Sequence, residues 1–370
     1  MDQRLHGGIL NYEERQSGEY LDYSVNINPL GLPEFVKTAI MESIPLLERY
    51  PDPECRKLCR RLAEVHGHGL EENQIICGNG AADLIYQLVN CVRPRRAMVL
   101  APTFSEYELA LESVGCEVRH FVLSREEKFQ PDLKALCRAV TKDLDLLFFC
   151  NPNNPTGISV SREALGELVG TCEKNGVLLV VDECFQEFLD EPERATVIPL
   201  LGKNKNLFVL RAFTKIYAMA GLRLGYLLVS DPVWKQKLRE RRQPWNVSLV
   251  AQEAGYAALG SQGDEYVARA RKLILRERGR MSARMRELGY LVYPSEANFL
   301  FFEVPWEKEE NGETLFSFCM KRKILIRDCS NYRGVEQGSY RVCVRTEREN
   351  EVFLSVLEKA KQAEEMRKKN

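Results

Sequence analysis

A lysine with little polar company is the first residue to consider. The stretch "RAFTKIYAMAGLRLGY", residues 211–226, sets Lys215 among small and apolar neighbours, with Arg223 further along. An amine reacts as a nucleophile only when neutral, and a desolvated site beside other cations lowers its pKa. Taken alone, Lys215 could equally run its stem along the surface and keep its charge in water. Three other stretches hold polar residues of complementary kinds. "CGNGAAD", residues 77–83, has small residues that let backbone amides approach an anion at a helix start. "NPNNPTG", residues 151–157, offers the side-chain amide of Asn154, though the same letters describe a plain turn. "VVDECF" puts Asp182 at the end of an apolar run, where an isolated aspartate would otherwise serve as a helix cap. An amine, an acid and an anion cradle in one order along the chain are less easily dismissed than any one of them.

The elements between these stretches have to bring them together. "RRAMVLAP", "CEVRHFVL", "LDLLFFC", "VLLVVDECF", "NLFVLRAF" and "LRLGYLLVS" are apolar runs without alternation, as expected of strands covered on both faces. Helical patterns separate most of them, such as "SEYELALESVG" and "SREALGELVGTCEKNG". Strand–helix–strand succession predicts an α/β fold with a mostly parallel sheet. Ligands of such sheets sit beyond the carboxyl ends of the strands, where all four stretches fall. After about residue 245 the pattern changes to a long charged helix and fewer strands, which predicts a smaller α+β domain. The expected division is an N-terminal arm (1–45) packed on the small domain and over the cleft, a large domain (46–245) and a small C-terminal domain (246–370).

Composition narrows the function classes. The chain has 370 residues with a net charge of −1, which gives no electrostatic case for nucleic acid or an acidic membrane as the main partner. No apolar run is long enough for a membrane span or a secretory leader, so a soluble, cytoplasmic protein is expected. The twelve cysteines form no CxxC pair, and several lie in apolar segments. Reduced, buried cysteines are the expected state, with no metal site. His66 and His68, in "EVHGHGLEEN", read as a helix end and turn. The first 45 residues contain no basic recognition helix, which gives no case for a DNA-binding module.

The ordered set GNGxxD, NPNNPTG, DExF, TK and GLRLGY resembles fold-type I pyridoxal-phosphate enzymes of the class I/II aminotransferase superfamily over nearly the whole chain. That resemblance implies a seven-stranded main sheet and a pyridoxal 5'-phosphate cofactor bonded to Lys215. Arg223, Thr214 and the amides of Gly80, Ala81 and Ala82 would then hold its phosphate. Asp182 would keep the pyridine nitrogen protonated, Asn154 would donate to the ring hydroxyl oxygen, and Tyr107 would stack on the ring. Two positions depart from the pattern: Ala212 stands where many relatives carry a hydroxyl residue, and Phe185 where many carry tyrosine.

A finer likeness points within the family. "HGG" at residues 6–8, "LDYSVNINPLG", "ERYPD", "QPWNVS" and "ILIRDCSNYRG" resemble the L-threonine-O-3-phosphate decarboxylases of cobalamin synthesis, a branch near the histidinol-phosphate aminotransferases. It implies His6, Asn28 and Arg327 at the substrate phosphate and Arg345, in "RVCVRT", on the substrate carboxylate. Arg341 is the alternative on the same strand, there read as a surface residue. It further implies a homodimer in which Tyr50 reaches the neighbouring subunit's cofactor phosphate. The expected activity is decarboxylation of threonine phosphate or serine phosphate, or else aminotransfer between histidinol phosphate and 2-oxoglutarate.

Overall fold

The structure is a computed structural model that describes residues 20–307 and 313–369. Its strands in chain order are β1 (Leu21–Asp22), β2 (Ile75–Gly78), β3 (Arg96–Ala101), β4 (Glu117–Val122), β5 (Leu146–Cys150), β6 (Leu178–Asp182), β7 (Leu207–Ala212) and β8 (Gly225–Val229). These are followed by β9 (Leu291–Val292), β10 (Phe299–Glu303), β11 (Ile324–Leu325), β12 (Arg327–Asp328) and β13 (Ser339–Cys343). Seven of them form the main sheet in the order β2-β8-β7-β6-β5-β3-β4. β3, β4, β5, β6 and β7 pair in parallel, while β8 runs antiparallel to both β7 and β2. The reversal of β8 has a consequence for chemistry. It brings the residues that precede β8, Arg223 among them, to the same sheet edge as the residues that follow β2, β5, β6 and β7.

The uninterrupted apolar runs are explained by burial on both faces. Successive residues of the central strands enter opposite layers. Leu100, Leu147, Phe149, Leu179, Val181 and Val209 belong to one core cluster; Val99, Leu146, Phe148, Val180, Phe208 and Leu210 belong to the other. Helices cover both layers, and their ends follow local rules. The helix Arg162–Asn175 starts where the Ser161 side chain accepts from the Ala164 amide, and it stops at Gly176, whose φ of 73° suits a left-handed cap.

The second sheet has the order β12-β13-β10-β9, all antiparallel, packed with the long helix Ser261–Glu287 and the last helix, Glu347–Lys369. β1 pairs in parallel with β11, so the arm that precedes the large sheet is built into the region of the small one. "KILIRDC" reads as a single strand but forms two. Ile324–Leu325 pairs with β1, and Arg327–Asp328 pairs with β13. Among the described residues no helix is long and apolar enough to cross a membrane.

Candidate active site

Beyond the shared edge of the main sheet lies a cavity of about 380 Å3. Lys215, Asp182, Asn154, Tyr107, Thr214 and Arg223 all line it, and so do Ala81 and Ala82. Residues from five strand ends and from the reversed β8 therefore meet around one space.

Lys215 sits in the short helix Phe213–Ile216 that follows β7. Burial pushes its amine down to about 8, and the nearby cations Arg341 and Arg223 push in the same direction. The turn is clamped from the N-terminal arm. The Asn28 amide donates to the Lys215 carbonyl at 3.1 Å, and Asn28 Nδ2 donates to the Ile216 carbonyl at 2.6 Å. Asn28 Oδ1 accepts from the Leu30 amide at 3.0 Å. Both polar ends of Asn28 are thus committed to the backbone, and the residue does not line the cavity. The expected substrate role of Asn28 is corrected to that of a brace for the lysine turn.

Asp182 ends β6 and is 4% exposed. Tyr107 Oη donates to Asp182 Oδ2 at 2.5 Å, and the Cys184 amide donates to Oδ1 at 2.9 Å. Burial raises this carboxyl against the opposing pull of those hydrogen bonds. The Tyr107 ring lies on Phe148, with centroids 4.8 Å apart and planes 6° from parallel. Phe104, another cavity residue, meets Tyr107 edge-on at 5.5 Å. Tyr107 in this structure is therefore a partner of Asp182, with one ring face already occupied.

The anion cradle depends on two glycines. Gly80 precedes the helix Ala81–Val92 with φ +86°, and a Cβ there would lie 2.6 Å from Arg223 Nη2. At Gly225 a Cβ would lie 2.8 Å from the Ala81 nitrogen. Only hydrogen at both positions lets the helix start, the arginine and β8 close on one another. Asp83 shapes the loop from inside the first turn, accepting from the Asn79 amide at 2.8 Å and from Asn246 Nδ2 at 3.0 Å. These groups fit the expected cofactor at both ends. Amides, a hydroxyl and a guanidinium would receive an anion, and a buried acid lines the same cavity as an amine whose pKa is depressed. Ala212, without a hydroxyl, precedes the lysine helix and is buried; Phe185 lines the cavity and packs edge-on against Phe299 at 5.1 Å.

Of the two arginines in "RVCVRT", Arg341 and not the expected Arg345 lines the cavity. Arg341, on β13, lines the cavity, is 5% exposed, and donates to Asn154 Oδ1 and, at 2.7 Å, to the Ser24 carbonyl. Arg345 lies beyond the end of β13, where the chain turns toward the last helix. It is held there by Glu349 at 2.5 Å and by the Asp22 carbonyl at 3.1 Å, and it does not line the cavity. Arg327 lines the cavity and stands directly across from Arg341 in the β12–β13 register. Tyr50 is 79% exposed and stacked on Trp245, away from its own chain's cavity. His6 lies outside the described residues.

Ser24, Val25, Asn26 and Tyr332 also line the cavity. Their signals were the quoted stretches "LDYSVNINPLG" and "SNYRG", which mark the segments without saying which side chain turns inward. The buried pair Arg211–Glu183, 2.6 Å apart, was likewise passed over. Glu183, just after β6, is held in turn by Thr196 Oγ1 and the Val197 amide, and its pair with Arg211 on β7 ties the end of β6, which carries Asp182, to the strand that leads into Lys215. Two opposite charges inside apolar strands were the available sign of this tie.

Comparison with known proteins agrees with this constellation: residues 18–357 match the family described as aminotransferase class I and II. The chain belongs to that family. Among its relatives, the threonine-phosphate decarboxylase of Salmonella typhimurium is 37% identical over 358 residues, covering 95% of either chain. A histidinol-phosphate aminotransferase of Moorella thermoacetica is 32% identical, covering 90% of this chain and 83% of that protein. Among solved structures, the histidinol-phosphate aminotransferase of Clostridium acetobutylicum superposes with a TM-score of 0.84 at 28% identity, covering 93% of this chain and 99% of the other. The family fold explains why one set of strand-end residues converges here.

Proposed function

We propose that this family member uses pyridoxal 5'-phosphate to decarboxylate a small phosphorylated amino acid, L-threonine O-3-phosphate or its serine counterpart, as a step toward cobalamin. The observation that carries the reading is the facing pair Arg327 and Arg341. Cross-strand neighbours have Cβ atoms roughly 5 Å apart, and like charges placed so repel unless anions separate them. Two guanidiniums on one cavity wall match a compact substrate with two anionic groups, a carboxylate and a phosphate. Threonine phosphate has both, whereas histidinol phosphate has only the phosphate. The identity to the Salmonella threonine-phosphate decarboxylase supports the same choice.

The bound cofactor supplies an electron sink for the pair left on the substrate α-carbon. The chain's residues do the rest. Lys215 Nζ, whose lowered pKa of about 8 makes the neutral form accessible near neutrality, provides the nucleophilic amine and then carries a proton to or from the α-carbon. Arg341, oriented by Asn154 and the Ser24 carbonyl, takes the carboxylate, and Arg327 takes the phosphate. With both ends held, the choice of bond to break becomes a matter of substrate pose. Asp182, deep in the site, would stabilise positive charge on the cofactor's ring nitrogen, and Tyr107 Oη, which donates to Asp182 Oδ2, keeps that carboxylate aimed. The enzyme works as a homodimer in this reading. The exposed Tyr50 with its Trp245 partner supplies a residue for the neighbouring subunit, and apolar Met41, Ile44 and Leu47 are exposed as well.

Amino transfer from histidinol phosphate to 2-oxoglutarate is the second reading, favoured by the likeness to the Moorella and Clostridium aminotransferases. One experiment separates the two. Holoenzyme is mixed separately with threonine phosphate, serine phosphate and histidinol phosphate, with and without a keto acid. Carbon dioxide released from threonine phosphate without an acceptor is the expected result. Loss of the amine only when an acceptor is present would transfer the assignment to the aminotransferases. A single methyl distinguishes threonine from serine phosphate, so discrimination between them should stay near 10–200-fold, or roughly 1–3 kcal/mol.

A further inference from the structure

Next to the site cavity lies a second one of about 490 Å3, larger than the first. Phe104, Arg327 and Tyr332 line both, so these three side chains form the wall between them. The far side of the second cavity is polar. His120 Nε2 lies 3.0 Å from Glu108 Oε1, and Arg333 approaches the same carboxylate at 4.0 Å. Nothing in the proposed chemistry uses this space.

The wall is held from both sides. Tyr332 is 9% exposed, and its ring stands 5.3 Å from the Arg327 guanidinium. Its amide donates to the Cys329 carbonyl at 3.0 Å. Gly334, with φ +79°, seats the same loop on the end of β3: a Cβ there would lie 3.4 Å from the Ala101 carbonyl oxygen. β3 leads directly into Phe104, whose ring is set against Tyr107. The first cavity is near the small end of the range for ligand sites, about 300–1,000 Å3, and has to hold a cofactor as well as a substrate. Room remains only for a short substrate while the wall stands.

We infer that Tyr332 sets the length of the substrate: its ring closes the substrate end of the first cavity, and the second cavity is the space a longer amino phosphate would need. This rests on the reading of a small phosphorylated amino acid as substrate. A ring that is buried on one side and stacked on a guanidinium gives way less readily than a solvated loop residue, so the limit is steric and rigid. If Tyr332 served only to pack its loop, its loss would lower stability without altering which substrates bind.

The test is a length series on holoenzyme. Binding of ethanolamine phosphate, its longer straight-chain homologues and histidinol phosphate is measured by calorimetry for the wild type, Tyr332→Phe and Tyr332→Ala. The wild type and the phenylalanine variant should bind the short members and lose affinity sharply with length. Tyr332→Ala should shift the long-to-short affinity ratio by at least about tenfold toward the long members. An unchanged ratio in Tyr332→Ala, an equal shift in Tyr332→Phe, or wild-type binding that is indifferent to length would overturn the inference. Should the alanine variant not fold, Phe104→Leu opens the wall from the other side and carries the same expectation and the same refutation. Failure of the functional reading shows elsewhere, as absence of carbon dioxide release by the wild type, and leaves the length series readable as binding.

Discussion

Arg341→Ala and Arg345→Ala form a matched pair of perturbations, four residues apart on one segment, with opposite expected outcomes. Arg341 is 5% exposed and points into the cavity between Asn154 and the Ser24 carbonyl. Removing it leaves the substrate carboxylate without its partner in a desolvated site, a loss on the order of 2–5 kcal/mol. That corresponds to a fall in affinity of roughly 30-fold to several thousand-fold. Arg345 is tied to Glu349, and the two side chains are 27% and 24% exposed, outside the cavity. Such a pair contributes about 0–1 kcal/mol to stability and should leave substrate affinity within about twofold. Saturation kinetics of carbon dioxide release and equilibrium titration with threonine phosphate read both variants. A second readout comes from Lys215. Arg341 is one of the cations that disfavour its ammonium, so Arg341→Ala should move the lysine titration upward from about 8, while Arg345→Ala should not. A larger affinity loss in the Arg345 variant, or none in the Arg341 variant, would refute the placement of the carboxylate.

Two further outcomes are expected. Lys215→Ala should abolish the visible absorption band of the lysine-bound cofactor; a band that persists unchanged would show that another amine is involved. Gly80→Ala forces a side chain onto a backbone at φ +86° and puts its Cβ 2.6 Å from Arg223 Nη2. The backbone penalty alone is about 1–2 kcal/mol, so cofactor affinity measured by equilibrium dialysis should drop roughly 5- to 30-fold. Retained affinity would remove the cradle from this loop.

The composition of the strands and the order of the motifs were enough for the main sheet and for most of the strand-end residues that line the cavity. Lys215, Asp182, Asn154, Thr214 and Arg223 were recognisable because each follows or precedes an apolar run, and the chain has to turn there. The C-terminal ends of parallel strands converge on one sheet edge, so the meeting of Lys215, Asp182, Asn154 and Thr214 is a property of topology that local pattern reveals, while Arg223 joins them only because β8 is reversed. The family of the chain was legible for the same reason.

The substrate end behaved differently. Arg341 and Arg345 have the same side-chain parity on an extended strand, and the motif "RVCVRT" does not say where the strand stops. Only the pairing with β10 and β12 shows that it ends at Cys343, which leaves Arg345 to Glu349 and Arg341 to the cavity. Asn28 was placed in the right neighbourhood but given the wrong task, because the Lys215 and Ile216 carbonyls that consume its hydrogen bonds are remote in sequence. Local chemistry and periodicity thus determined which elements form and which loops carry reactive groups. Which of two like side chains faces the substrate was decided by long-range register and by competition for hydrogen-bond partners, and both exist only once the chain is packed.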